Sequence, residues 1–272
     1  MSPTERVGPG VISVTAPNPG PLTLEGTRTW VIGVERLAVI DPGPDDPSHL
    51  ALVEAATAGR TVVAVCLTHS HADHAAAVRA GSVSWGPVRA SARTLARLGV
   101  KGTPLEDGDE VDLGDGPDGP ESLRALATPG HSGDHLAFLY RPARDLLTGD
   151  LVLGRGSSMV AHPDGSVSAY LASLARLSAL RPARLLPGHG SVIDDPERVL
   201  AGYAAHRRER TEQLRGALET GARDLDGLVA TVYGELPPGV RDAAELSLLA
   251  HLRHLEELGY DVPRISGVEE PS

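Results

Sequence analysis

The chain has 272 residues, of which 41% are hydrophobic, and its formal net charge is −11. This length and composition are typical of a folded globular protein with a packed core, and they exclude a disordered or fibrous chain. No apolar run approaches the roughly 18 residues that a membrane span needs, and the negative charge disfavours a general nucleic-acid binder. The single cysteine, Cys66, and the lack of a leader pattern at the N-terminus favour a cytoplasmic location.

The first two thirds of the sequence predict short β-strands and then an alternation of helices and strands. The first helix starts with the capping acids and early proline of Asp45-Asp46-Pro47, and a hairpin is expected within 107–120. This alternation indicates a layered α/β architecture. Helices are predicted near 45–58, 72–80, 91–98 and 167–180, and strands near 10–16, 29–34, 37–40, 62–67, 83–90, 122–127, 135–140, 145–148 and 183–186.

The last part of the chain has a different character, with helical periodicity over 195–219, 224–236 and 243–258 and a β-like end. Three helices in so short a segment suggest a small winged-helix-like appendage, so we expect one domain at 1–195 and a second at 196–272. Apolar residues at helical spacing supply a small core for the appendage: Leu225, Leu228, Val229, Val232, Leu246, Leu249, Leu252 and Leu255.

Four side chains suited to metal binding lie within six positions, directly after the predicted strand 62–67. They are His69, His71, Asp73 and His74. Imidazole and carboxylate are the ligands of zinc and similar first-row metals, and a strand-to-helix turn points several side chains into one space. The alternative is a solvated histidine-rich turn.

Three further candidates each follow a predicted strand: His131 in Thr-Pro-Gly-His, Asp150 in Leu-Thr-Gly-Asp and His189 in Leu-Pro-Gly-His. Loops from one edge of a sheet converge, so the strand ends place these residues where the first cluster lies. Each alone is a weak signal, since a loop histidine is usually only solvated. Together with the first cluster they supply seven ligands.

These seven residues, preceded by Ile40-Asp41-Pro42-Gly43, resemble the metallo-β-lactamase superfamily from about residue 10 to residue 195. The resemblance implies a four-layer αβ/βα sandwich with the metal site at one edge of two sheets. It further implies that His69, His71 and His131 hold one metal, that Asp73, His74 and His189 hold the other, and that Asp150 bridges them.

Within the superfamily the chain is most similar to the β-lactamase-like protein 2 group. The similarity lies in 26–33, in 149–158, in the turn Pro187-Gly188-His189-Gly190 and in the tail that starts near His206. One departure is the run Ala75-Ala76-Ala77, where the group usually shows a small residue and then paired glycines. The ligands themselves are intact.

The resemblance implies a binuclear hydrolase that uses a metal-bound hydroxide, because two metals about 3.5–4 Å apart lower the pKa of a bridging water. Asp73 and Asp150 are the expected catalytic carboxylates. Zinc is the default metal, although the same ligands accept iron or manganese. Asp41 is expected either to orient a ligand histidine through a hydrogen bond or to form the Asp-Pro-Gly turn.

Substrate contacts are expected from His135 and from the loop 155–166, which holds Ser157, Ser158 and His162. Hydroxyls and glycine-flanked amides can bind an oxyanion or a phosphate. The alternatives are a structural histidine and an ordinary exposed loop.

Three functions remain open at this stage. The first is hydrolysis of a small acyl substrate such as a thioester, ester or lactone, with the tail shaping one wall of the pocket. The second is a metal-dependent endoribonuclease on single-stranded RNA, the activity associated with animal members of the group. The third is a non-catalytic DNA-binding protein, which an intact ligand set disfavours.

The charge of the tail bears on this choice. Residues 205–272 contain eight arginines, no lysine and 13 acidic residues, which disfavours a general phosphate-binding surface. Four arginines could still form a local stripe on the leading helix: Arg207, Arg208, Arg210 and Arg215. A small-molecule substrate is therefore the expected partner.

Overall fold

The computed structural model describes residues 2–236 and 239–267, and its internal contacts separate these residues into two units. The first unit consists of residues 2–128, 134–157 and 180–196, and the second of 129–133, 158–179 and the described residues from 197 onward. None of the described helices combines the length and the apolar character that crossing a membrane requires.

The described residues form strands and helices in a mixed order. The strands are β1 (Thr4–Gly8), β2 (Val11–Thr15), β3 (Arg28–Ile32), β4 (Arg36–Ile40), β5 (Thr61–Cys66), β6 (Val88–Ala90), β7 (Thr103–Pro104), β8 (Glu110–Gly116), β9 (Gly119–Ala127), β10 (Leu136–Arg141), β11 (Asp145–Gly149) and β12 (Arg184–Pro187). The helices are α1 (Pro47–Thr57), α2 (Ala72–Ala80), α3 (Ala92–Leu98), α4 (Val167–Ala179), α5 (Pro196–Glu219), α6 (Leu225–Tyr233) and α7 (Arg241–Glu257).

The first unit contains two sheets. One has the strand order β1-β2-β3-β4-β5-β6-β7, antiparallel from β1 to β4 and parallel from β4 to β7. Helices α1, α2 and α3 connect the parallel strands, as parallel pairing requires a crossover. The other sheet has the order β12-β11-β10-β9-β8 and is antiparallel except for the pair β11 and β12.

The core of the first unit lies between the two sheets. Apolar side chains of both sheets meet there, among them Trp30, Ile40, Leu123 and Phe138. The opposite face of the seven-stranded sheet is covered by its crossover helices, because Val53 of α1 and Val78 of α2 belong to clusters with that face. Burial of these side chains on both faces is what fixes the layered arrangement.

The strand directions bring distant loops to one edge of this unit. The pairing of β4 with β5 is parallel, with Ile40 beside Cys66, so the segments that follow both strands start at the same edge. The pairing of β11 with β12 is also parallel and sets Gly149 beside Pro187. Two hydrogen bonds join the sheets here: the Trp30 indole donates to the Pro187 carbonyl at 3.0 Å, and the Arg28 amide donates to the Gly188 carbonyl at 2.7 Å.

The second unit combines α4 with the helices α5, α6 and α7. The three C-terminal helices share an apolar cluster that includes Leu214, Leu228, Val232, Leu248 and Leu255. Asp224 caps the N-terminus of helix α6, because its carboxylate accepts a hydrogen bond from the Gly227 amide at 2.7 Å. This unit therefore has a core of its own.

The layered α/β prediction is confirmed, and most predicted elements lie within a few residues of their expected bounds. Three expectations are wrong. The region 83–90 forms a strand only over Val88–Ala90. Leu246 is 38% exposed and lies outside the apolar cluster of the tail. The β-like end forms no strand within 260–267, where Ser266 makes a single bridge to Asp224, and its remainder lies outside the described residues.

We predict that Leu248→Ala lowers the free energy of unfolding by about 2–5 kcal/mol, because it leaves a cavity in the cluster around this 1% exposed side chain. The matched control is Leu246→Ala on the same helix, for which the change should stay within about 0.5 kcal/mol. Urea unfolding followed by far-ultraviolet circular dichroism measures both values. Equal losses from the two variants would contradict the assigned core.

Candidate metal centre

Two groups of side chains present potential metal ligands close together. The first consists of His69, His71, His131 and Asp150, and the second of Asp73, His74, Asp150 and His189. Within each group, one ligand atom from every residue lies within 4.8 Å of the others. The two groups thus contain all seven residues singled out from the sequence, and Asp150 belongs to both.

The side-chain donor atoms of the second group converge on one another. The Nε2 atoms of His74 and His189 lie 3.2 Å apart. An oxygen of Asp150 lies 3.2 Å from the first of these nitrogens and 3.3 Å from the second, while Asp73 lies 3.4 Å and 3.1 Å from them. Two imidazole nitrogens and two carboxylates that converge in this way form the donor set of a first-row divalent cation.

The pKa shifts within this group show that its carboxylates favour a positive charge beside them. Burial alone lowers the pKa of His74, but the carboxylates of Asp150 and Asp73 raise it well above its ordinary value. Burial also opposes a charged His189, yet the same carboxylates raise its pKa to about 9. The carboxylates respond in the opposite direction: burial opposes their ionisation, but His74 and His189 hold the pKa of Asp150 well below its usual range.

A divalent cation can take the place of the protons that these imidazoles hold. Metal ligands bind as neutral imidazole and ionised carboxylate, so metal binding releases protons from such a cluster. The residues present therefore fit a divalent metal.

The buried carboxylate of Asp41 hydrogen-bonds to His74 of this group and to the neighbouring Thr68. It follows β4, has a φ of 50°, and accepts hydrogen bonds from the Thr68 amide and hydroxyl, both at 2.7 Å. It also lies 2.9 Å from Nδ1 of His74, which donates to it. The proton is therefore held on Nδ1, and the lone pair of Nε2 faces the cluster.

Thr68 extends this support to a second histidine. The Thr68 hydroxyl donates a hydrogen bond to Asp41. The same hydroxyl lies 2.9 Å from Nδ1 of His69 and accepts a hydrogen bond from that ring. The His69 ring packs against the rings of His71 and His74, with both centroid distances at 4.4 Å. Thr68 was missed by the sequence analysis, although it directly precedes the first histidine.

Backbone carbonyls orient two further histidines of the groups, His131 and His189. Nδ1 of His131 donates to the Met159 carbonyl at 2.6 Å, and Nδ1 of His189 lies 3.3 Å from the Gly26 carbonyl. A carbonyl only accepts, so each contact places the proton on Nδ1. Sequence reasoning had no means to find these partners, because a carbonyl oxygen is present at every residue.

Gly188 leaves the space into which the ligands converge. A Cβ atom at this position would lie 2.7 Å from Cε1 of His74 and 2.8 Å from an oxygen of Asp150. Contacts this short do not occur for real side chains, so the close approach of the Pro187-Gly188-His189 turn depends on the missing Cβ.

The four residues expected to contact substrate differ in how far they are exposed to solvent. His135 and Ser158 are buried; the His135 ring lies 2.9 Å from the Thr128 hydroxyl, and the Ser158 hydroxyl lies 3.5 Å from Nδ1 of His131. Ser157 is exposed and His162 is half-buried. Burial favours a positioning role for His135 and Ser158, and leaves Ser157 and His162 as the accessible candidates.

Comparison with known families identifies the class of this protein. The model of the metallo-beta-lactamase superfamily matches residues 22–189, and that of the beta-lactamase associated winged helix domain matches residues 225–260. The chain belongs to the metallo-β-lactamase superfamily, with the superfamily's α/β sandwich of two sheets and a C-terminal winged helix domain. It is a hydrolase of that superfamily.

Individual relatives agree with this assignment. The atrochrysone carboxyl ACP thioesterase of a Cryptosporiopsis species is 31% identical over 263 residues, which cover 90% of this chain and 78% of the relative. The structure of a beta-lactamase domain protein from Burkholderia ambifaria has a TM-score of 0.81 at 24% identity and covers 94% of this chain and 88% of its own. A further structure, solved in a di-iron-bound form, is 30% identical with a TM-score of 0.52, over 68% of this chain and 96% of its own.

We predict that Asp41→Asn weakens zinc binding by about 10- to 100-fold, because an amide nitrogen cannot accept the hydrogen bonds that the carboxylate receives from Thr68 and His74. Titration of the metal-stripped protein against a zinc indicator measures the change. Asp45→Asn, in the exposed segment after the same turn, is the control and should bind zinc like the unaltered chain. Unchanged affinity in Asp41→Asn would contradict the assigned role.

Proposed function

We propose that the protein is a binuclear metal-dependent hydrolase of acyl thioesters or closely related small acyl substrates. The observation that carries the binuclear part is the position of Asp150, which offers a carboxylate oxygen to both ligand groups. The thioester class is supported by the relative named as an ACP thioesterase, whose similarity extends over most of this chain.

The chemistry follows from the donor set. Divalent cations bound at such a centre lower the pKa of a coordinated water toward neutrality and polarise a substrate carbonyl. The work of the protein is to hold the ligands in place and in the right protonation state. Asp41 does this for His74 directly and for His69 through Thr68.

We assign different tasks to the two catalytic carboxylates. The side chain of Asp150 is 11% exposed and shared by both groups, which suits a bridging ligand. The side chain of Asp73 is 28% exposed, so it is the more accessible of the two to a water or a leaving group. We therefore assign Asp73, as an ionised carboxylate, to accept a hydrogen bond from the attacking water.

The segment after Asp150 is the proposed substrate-contacting loop. Gly156 and Ser157 are exposed there, and an ion pair of 2.7 Å between Arg155 and Glu25 anchors the start of the segment. The Ser157 hydroxyl and the neighbouring amides offer donors for the oxygen of a tetrahedral intermediate. His162 is a second candidate contact.

Cleavage of RNA has less support, because the arginines of α5 are used internally. Arg207 is buried and donates to the Ser158 carbonyl, Arg210 donates to the Val232 carbonyl, and Arg215 pairs with Glu212 at 2.7 Å. Of the four arginines, Arg208 alone is exposed, and its side chain forms no ion pair or hydrogen bond with the residues that the structure describes. A helix face of this kind does not offer a continuous path for phosphates.

The metal content provides the first test. We predict close to two equivalents of divalent metal per chain, because seven ligands with one shared carboxylate exceed what one tetrahedral ion uses. Elemental analysis of protein purified without chelator measures the content and distinguishes zinc from iron and manganese. An active preparation without transition metal would refute the proposal.

The activity provides the second test. We predict hydrolysis of short-chain acyl thioesters, no cleavage of single-stranded RNA, and loss of the activity after treatment with chelator. His71→Ala and Asp150→Asn should each lower the rate by more than about 100-fold, since removing even a hydrogen-bond partner of a ligand costs about 10- to 100-fold. His206→Ala, a histidine outside both ligand groups, is the control. RNA cleavage that requires metal, without thioester hydrolysis, would select the alternative.

A further inference from the structure

Arg207 is an unusual arginine because its charged group is buried. It lies on α5 in the second unit and is only 3% exposed. Its guanidinium donates a hydrogen bond to the Ser158 carbonyl and lies over the Tyr170 ring, 5.2 Å from the ring centroid. Burying a cation is costly unless hydrogen bonds and aromatic faces compensate it, so this position is built around the arginine.

One partner of Arg207, Ser158, lies in a short segment that contacts the candidate ligand His131. Ser158 is followed directly by Met159, and the Met159 carbonyl accepts the hydrogen bond from Nδ1 of His131 at 2.6 Å. The Ser158 hydroxyl lies 3.5 Å from the same nitrogen. All of these residues belong to the second unit.

The geometry of the backbone connects these two contacts. The carbonyls of Ser158 and Met159 belong to successive peptide groups that are separated only by the φ and ψ of Met159, so an anchor on the first limits the positions that the second can take. The imidazole of His131 in turn depends on the Met159 carbonyl to keep its proton on Nδ1 and to present the lone pair of Nε2.

We propose that Arg207 is a positioning residue for His131, acting through the Ser158–Met159 backbone. The inference rests on the proposed metal centre, because it concerns the orientation of one of its ligands. It gives helix α5 a role at the centre that needs no contact with the substrate. An anion-binding role for Arg207 is disfavoured by its burial and by its hydrogen bond to a carbonyl.

Cobalt titration of the full-length, metal-stripped protein tests the proposal, because the visible absorption of bound cobalt reports on its ligands. The unaltered chain should bind two equivalents. In Arg207→Met we expect one of the two affinities to fall by about 10-fold, with a changed absorption spectrum for that site, as when a partner of a metal ligand is lost. Arg207→Lys keeps a charged donor and should give an intermediate affinity.

The matched control is Arg208→Met, which removes the neighbouring exposed arginine of the same helix. It should bind cobalt like the unaltered chain. Equal weakening of both sites in Arg207→Met, or no weakening in a folded variant, would overturn the role of Arg207. If the unaltered chain itself binds no cobalt, the metal centre fails as well, so the two failures are distinguishable.

A second measurement observes His131 directly in the unaltered protein. Long-range ¹H–¹⁵N correlation spectra of the zinc-loaded, unaltered protein report which ring nitrogen of each histidine carries the proton. We expect His131 to carry it on Nδ1 and to bind zinc through Nε2, and His131→Gln assigns the signal. Zinc bound to Nδ1 of His131 would overturn the proposal, because the Met159 carbonyl could then have no role in holding the ring.

Discussion

The carboxylate of Asp41 is the contact on which the centre most depends. It is buried where β4 ends, and it accepts hydrogen bonds from the amide and hydroxyl of Thr68 and from the ring of His74. One carboxylate therefore ties the end of β4 to the end of β5 and to the start of α2. It also sets the tautomer of two histidines, because the Thr68 hydroxyl passes its influence on to His69.

The second feature of the centre is an accumulation of charge that the fold makes unavoidable. The parallel pairs β4–β5 and β11–β12 end at one edge, so the loops after them set the carboxylates of Asp73 and Asp150 beside the rings of His74 and His189. In a buried position such a cluster is favourable only when positive charge compensates it. Protons on the imidazoles meet this need in part, and divalent cations held by the same residues would meet it more fully.

The arginines of α5 show how a tertiary contact can redirect a sequence feature. In the sequence, their spacing allows either a local basic stripe that could bind phosphate or a solvated helix face. In the fold, Arg207 points inward to Ser158 and Tyr170, Arg210 is held at Val232 and Tyr233, and Arg215 is neutralised by Glu212. These arginines are therefore used for contacts within their own unit and leave little positive charge for binding RNA. An acyl substrate is consistent with this arrangement.

The sequence by itself determined the layered α/β class, the positions of most helices and strands, and the identity of all seven residues in the two ligand groups. It could do so because apolar periodicity and the placement of His and Asp after strands are local signals. The family resemblance already implied that Asp150 is shared by both groups. Only the tertiary structure decided that Thr68 and two backbone carbonyls hold the rings, and that Ser158 and His135 are buried. It also decided which way Arg207 points. These facts depend on contacts between residues far apart in the chain, and a backbone carbonyl, which every residue carries, leaves no mark in the sequence.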